Sequence, residues 1–197
     1  MSSTTTTLAR SLHDLGLASW FGGTLMGAIG LNGGAAAARA PRDRTRVSSA
    51  GWQKWSPVLI ASMAAHVAGS IGMLLSDKPR LLAQPEAQRS ALLKTGITLA
   101  AVGASAYSGV LGRVQSAHQD EGGVGPTEPL ASASPEMSSA QRQQKFVQWV
   151  SPALTAVLIV LAAQQGEQQR RTPPVLAAPD VLRERIGALL PAMWRKG

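Results

Sequence analysis

Cysteine is absent from all 197 residues. Disulfides, thiolate metal sites, iron–sulfur clusters and cysteine nucleophiles are thereby excluded. Carboxylates are scarce, 11 against 19 lysines and arginines, and none falls inside any of four long apolar windows. A cation-coupled carrier needs a buried carboxylate to bind and release its ion, so the common kind of secondary transporter is disfavoured. Aromatic residues are also few: Trp 5, Tyr 1 and Phe 2. The formal charge of +8 and a pI near 11.1 invite a nucleic-acid reading. No basic helix carries interleaved aromatics, however, and Lys and Arg flank the apolar windows as membrane proteins require. Nucleic acid is therefore not an expected partner. Nor does a soluble catalytic set emerge. Serines and the three histidines show no nucleophile-elbow spacing, no His-Glu zinc motif and no phosphate-cradling loop, and GGVGP reads as a turn. The chain reads as non-enzymatic, with no cofactor and no metal assigned.

What the sequence does have is apolar length. The mean hydropathy of +0.04 averages over windows that differ sharply. From Leu15 to Ala38 the chain carries no charge, enough to cross a hydrocarbon core of ~30 Å as a helix. A secretory signal is the competing reading of this window, with Arg10 as its basic flank and Ala38-Arg39-Ala40 as a loose cleavage site. The run exceeds a typical signal core, and three more windows follow it, so a retained helix is expected. Ser19, Gly23, Gly27, Gly30 and Gly34 recur at spacings of four and three and line one helical face. Such a groove admits a second helix at close range, which is how helices hold together where lipid supplies no hydrophobic push.

Pro41 ends that helix, and a basic loop with Arg39, Arg42, Arg44 and Arg46 follows. Trp52 and Trp55 bracket Lys54 as an interfacial belt. The second window runs from Trp55 to Ser76, with Pro57 in its expected first turn. Ala61, Ala65, Gly69 and Gly72 give it a small-residue face to meet the groove of the first helix. The third window, Ala91 to Gly112, sets Gly96, Ala100, Ala104, Ser108 and Gly112 on one ridge, which places that helix inside the bundle. The fourth, Phe146 to Gly166, has Pro152 in its first turn and a VLIVLAA core including Leu158, which faces lipid on this reading. From Asp180 an amphipathic pattern with Trp194 reads as a helix on the membrane surface.

The expected organisation is a disordered tail over 1–12, three transmembrane helices over 13–113 and a flexible extramembrane loop over 114–145. A fourth transmembrane helix covers 146–166, and a basic tail with its surface helix covers 167–197. The fold class is all-α, an integral membrane four-helix bundle. Ser-Ser-Ala, Gln-Lys, Trp and Ser-Pro-x-Leu recur between Ser48 and Leu59 and between Ser138 and Leu154. A tandem repeat of a helical hairpin and a coincidence of short matches both account for this. The expected location is a bacterial cytoplasmic membrane with both termini inside. Its partners would be the lipid bilayer and further copies or other membrane subunits.

His66 is the strongly polar titratable group deep inside a window. It reads either as a ligand or relay, or as a neutral histidine bonded to a neighbouring helix. A two-histidine haem site needs a second ligand at the same depth. His13 is expected at the rim, roughly 15 Å away along the helix axis, so no pair is anticipated within one chain. The segment HDLGLASWFGG, His13 to Gly23, resembles the opening of bacterial small membrane proteins of the copper-resistance D-like group. With the GLNG and GWQKWSP…AAHVAG segments it is similar to uncharacterised four-span bacterial membrane proteins. The resemblance implies a helical membrane fold and draws attention to His13. Two function classes follow: a structural or accessory membrane subunit acting through its glycine faces, and a small redox or metal-handling membrane protein using His66.

Overall fold

The computed structural model describes residues 3–171, the side chains of residues 3, 80 and 165–171 excepted. The surface helix expected from Asp180, with Trp194, lies outside the described residues. The chain forms two units, Met1–Ile159 and Val160–Gly197. All the packing below belongs to the first. Of the second, the described part is the helical stretch from residue 160 to Arg171.

Helix dominates. Helix α1 spans Ser3–Met26, widens into a π turn over Gly27–Leu31, and continues as α2, Asn32–Ala36. Helix α3 spans Pro41–Ser76, α4 spans Lys78–Ala83 and α5 spans Pro85–Ala117. A 3₁₀ turn at Gln119–Glu121 and a two-stranded hairpin follow, β1 being Gly123–Gly125 and β2 Glu128–Pro129. Helices α6, Pro135–Val147, and α7, Val150–Arg171, complete the described chain. Among the described residues three runs are long and apolar enough to cross a membrane: Pro41–Ser76, Pro85–Ala117 and Pro135–Gln164. Helix α1 is not among them: it carries Arg10, His13 and Asp14, and it ends at Met26, where the π turn divides the uncharged window.

Three starts share one design. Pro41, Pro85 and Pro135 each occupy the first turn, where a missing N–H costs nothing, and Asp43, Glu86 and Glu136 favour the positive end of the dipole. Before Pro135, the Ser134 hydroxyl also accepts the Met137 N–H at 3.2 Å.

Four expectations change. The N-terminal segment is helical from Ser3 rather than disordered, because α3 gives it a surface: Gly72 leaves its nearest space to Ala9, which is buried. Pro57 lies inside α3, not at its start. It offers no N–H to the Gln53 carbonyl and faces outward, where water or headgroups can serve that oxygen. The segment expected as a flexible loop is folded. Glu121 accepts the Ser134 N–H at 2.6 Å, Gln141 donates to the Gly125 and Pro126 carbonyls, and Arg44 donates to those of Ala38, Arg39 and Val124. Gly122, at φ +79°, turns the chain here, and a Cβ on it would meet the Pro41 backbone at 2.9 Å. Leu158 is buried rather than lipid-facing; Val157 on the same helix is exposed. The two similar segments also adopt different structures. One lies within continuous α3, whereas the other is interrupted at Gln148–Trp149 between α6 and α7.

Candidate functional site: the α1–α3 seam and its histidine pair

Helices α1 and α3 run antiparallel, and small residues alternate between them along the seam. A Cβ built on Gly16 would lie 2.5 Å from the His66 nitrogen and 2.6 Å from the Ser62 carbonyl oxygen. One on Gly69 would lie 2.4 Å from the His13 nitrogen and 2.5 Å from the Ala9 carbonyl oxygen. At both points backbone rests on backbone, and no residue but glycine fits without moving a helix. One turn beyond Gly16 the Ser19 and Ser62 hydroxyls meet at 3.0 Å.

Beyond Ser19 the contact changes kind. The Trp55 indole covers Gly23, the Trp52 indole covers Gly27, and Leu31 covers Gly51. The π turn begins at Gly27, directly under the Trp52 ring. Asn32 closes this end. Its carbonyl oxygen accepts from the Ser48 hydroxyl at 2.8 Å and the Trp52 indole N–H at 3.1 Å, while its amide donates to Gln148 at 2.9 Å.

The structure therefore brings Ser19, Gly23 and Gly27 to the seam. Gly30 and Gly34 are exposed: a Cβ on Gly30 would meet only the Met26 side chain, and one on Gly34 nothing within 4 Å. On α3, Gly69 and Gly72 are at the seam, while Ala61 faces outward. The ridge expected on α5 does not pack as a unit. Gly96 and Gly112 have nothing within 4 Å of a Cβ position, Ala100 is exposed and Ala104 is half-buried. Ser108 alone of the five makes a bond described here, accepting from Gln144 at 2.6 Å. The buried face of α5 instead runs through Ala101 and Ser105, one residue further on, or about 100° around the helix. Ser105 is wanted inside because the buried Trp20 indole needs an acceptor, which it supplies at 3.0 Å. The Ser151 hydroxyl continues this chain of bonds at 2.9 Å from Ser105.

His66 is fully buried where α1, α3 and α5 meet. Its Nδ1 lies 3.2 Å from the His13 carbonyl oxygen. A carbonyl only accepts, so Nδ1 carries the hydrogen and Nε2 faces the Thr98 hydroxyl at 3.5 Å. The His13 ring lies against it, centroids 4.4 Å apart and planes tilted by 42°. Trp20 meets it edge-on at 6.0 Å. His13 Nδ1 is in turn 2.7 Å from Asp14 Oδ1. The expected separation of the two histidines is thus overturned, and the cause is register. The uncharged windows of α1 and α3 do not lie side by side: α1 is displaced so that Ala9 and His13 stand beside Gly72 and Gly69. Gly16, in phase with Ser19 and Gly23, was the sequence signal that the stripe extends toward the N-terminus.

Three membrane-length apolar helices around a seam of this kind define a helical membrane protein. No family model, curated protein or solved structure matches the chain.

Proposed function

We propose that this chain is a non-enzymatic multi-pass protein of the bacterial cytoplasmic membrane, a structural or accessory subunit built and partnered through close helix contacts. Helices α1, α3, α5 and α7 form its four-helix bundle, with both termini on the cytoplasmic side. The observation that carries the reading is how the buried polar groups are used. His66, Trp20, Asn32 and Gln144 each reach another helix, in bonds to the His13 carbonyl, Ser105, Ser48 with Gln148, and Ser108. Bonds of this kind fix which helices pair and in what register. Purified from membranes in mild detergent, the protein should be colourless and metal-free and should elute as an oligomer. A Soret band, or metal at a stoichiometric level, would overturn this reading.

One observation favours a second reading, a small metal- or haem-handling protein: the contact of His13 with His66, in the segment that resembles the copper-resistance D-like group. Metal–imidazole bonds are roughly 2 Å long on each side of an ion. Rings with centroids 4.4 Å apart leave no room for an iron between them. This second reading therefore requires one ring to swing away, and the same spectrum and metal analysis decide it.

A further inference from the structure

The register of the seam has a consequence for the outer face of α1. Ala9 and His13 lie against Gly72 and Gly69, inside the uncharged run of α3 from Trp55 to Ser76. Arg10 and Asp14, one turn apart and pointing away from α3, are therefore level with apolar side chains such as Ile71 and Val67. Both are exposed, and with Thr6, Thr7 and Ser11 they line an open groove of about 540 Å³. Arg10 makes no ion pair among the described residues. Asp14 uses one carboxylate oxygen on His13 and keeps the other. Charges at that depth are costly against hydrocarbon and are found facing a bundle interior, water or a partner of opposite charge.

We infer that this face is the contact between two copies of the chain, placed side by side with α1 parallel to α1, Arg10 of each reaching Asp14 of the other. The inference rests on the membrane reading given above. The face is self-complementary, which a two-fold contact demands: it holds one cation and one anion four residues apart. Four residues offset the two groups by about 6 Å along the axis, within reach of an extended arginine. Reciprocal pairs of this kind set partner and register between parallel helices. Both charges become paired, and the hydroxyls of the groove lie at the edge of the contact. The His13–Asp14 bond ties the contact to the histidine pair inside each copy.

The test uses the full chain in membranes, with two distinguishable tags. Arg10→Glu alone sets a new carboxylate against Asp14 of its twin, and Asp14→Arg alone sets a new guanidinium against Arg10. Each should lower self-association about tenfold or more. Co-expressed, the two variants face each other with opposite charges at both contacts. The introduced glutamate of one meets the introduced arginine of the other, and the retained Asp14 meets the retained Arg10. Co-purification should then return to the unsubstituted level. Self-association of either single variant at that level, or no recovery on mixing, overturns the inference. Because the parent has no cysteine, Ser11→Cys gives a second readout that leaves both charges in place. It should form a dimer under mild oxidation, whereas exposed Ala100→Cys on α5 should not. Absence of the Ser11→Cys dimer, or equal yields at both positions, contradicts the proposed contact. Carbonate extraction of the same membranes separates the two possible failures. Chain that is released refutes the membrane reading itself, whereas chain that is retained without the cross-link refutes only the dimer.

Discussion

The two ends of the α1–α3 seam are built on opposite principles. Near Gly16 and Gly69 the helices touch through their backbones, and the nearest atoms to a missing Cβ are main-chain nitrogens and carbonyl oxygens. Near Gly23 and Gly27 indole rings, not backbone, lie against the place a Cβ would take. The first kind of contact is rigid, since a backbone atom can move only with its helix. The second is adjustable, since a ring can turn. One glycine stripe thus covers two sets of energetics, and spacing alone does not tell them apart. What separates them is the residue opposite: Ser62 and His66 at one end, Trp52 and Trp55 at the other.

The comparison can be broken most directly at Gly16. Gly16→Leu should cost about 3 kcal/mol or more, the upper end of overpacking, because only a shift of the whole helix can relieve it. Thermal unfolding in detergent should show a transition much lower than the parent's, or no cooperative transition at all. Gly27→Leu should cost less, about 1–3 kcal/mol, since Trp52 can rotate away. That rotation gives up the indole bond to Asn32, so tryptophan fluorescence should shift together with the melting temperature. Equal losses from the two substitutions would erase the distinction between the ends.

A smaller, local effect belongs to the folded segment beyond α5. The Ser134 N–H, and then the His118 ring, hold the Glu121 carboxyl below the ordinary glutamate range. A depressed carboxyl stabilises the fold at pH above its unfolded value and loses that contribution as pH falls through its folded value. Amide exchange over residues 119–134, corrected for the intrinsic rate at each pH, should therefore quicken on acidification through that range. In Glu121→Gln it should be faster at neutral pH and respond little to acid. The smallest expected change is also of opposite sign. Gly96 meets nothing, so Gly96→Ala should raise stability by about 0.5–1 kcal/mol through helix propensity alone. A loss there would mean that α5 packs against something through this face.

Much of this was legible beforehand. The helical class, the windows beginning near Trp55 and Ala91, and the small residues Ser19, Gly23, Gly27, Gly69 and Gly72 of the first two windows follow from charge-free length and from spacing by three and four; that Gly30, Gly34 and Ala61 lie off the seam does not. Register was not legible. Two apolar windows are most simply drawn side by side, and that drawing puts Asp14 at a rim and His13 far from His66. The structure slides α1 along α3 because Gly16 and Gly69 are the positions where backbones can meet, and glycine contacts fix position more tightly than matched hydropathy does. The ridge on α5 misled for a related reason. Small residues at Gly96, Ala100 and Ala104 permit close packing without requiring it, whereas the buried indole of Trp20 requires an acceptor and turns Ser105 inward. The segment after Ala117 looked flexible by composition, yet Glu121 is held by the Ser134 N–H and the His118 ring and Gln141 by the Gly125 and Pro126 carbonyls, bonds that no local pattern announces.

That slide of α1 along α3 is the central claim, and a disulfide in the cysteine-free chain measures it directly. In the structure the Ser19 and Ser62 hydroxyls are 3.0 Å apart, whereas side-by-side windows would put Ser19 opposite Met73. The double variant Ser19→Cys with Ser62→Cys should oxidise readily in native membranes and retain the parent's melting behaviour or exceed it. Ser19→Cys with Met73→Cys should stay reduced. A bond in the second pair and none in the first would contradict the register, and with it the burial of His13 against His66 and the depth assigned to Arg10 and Asp14.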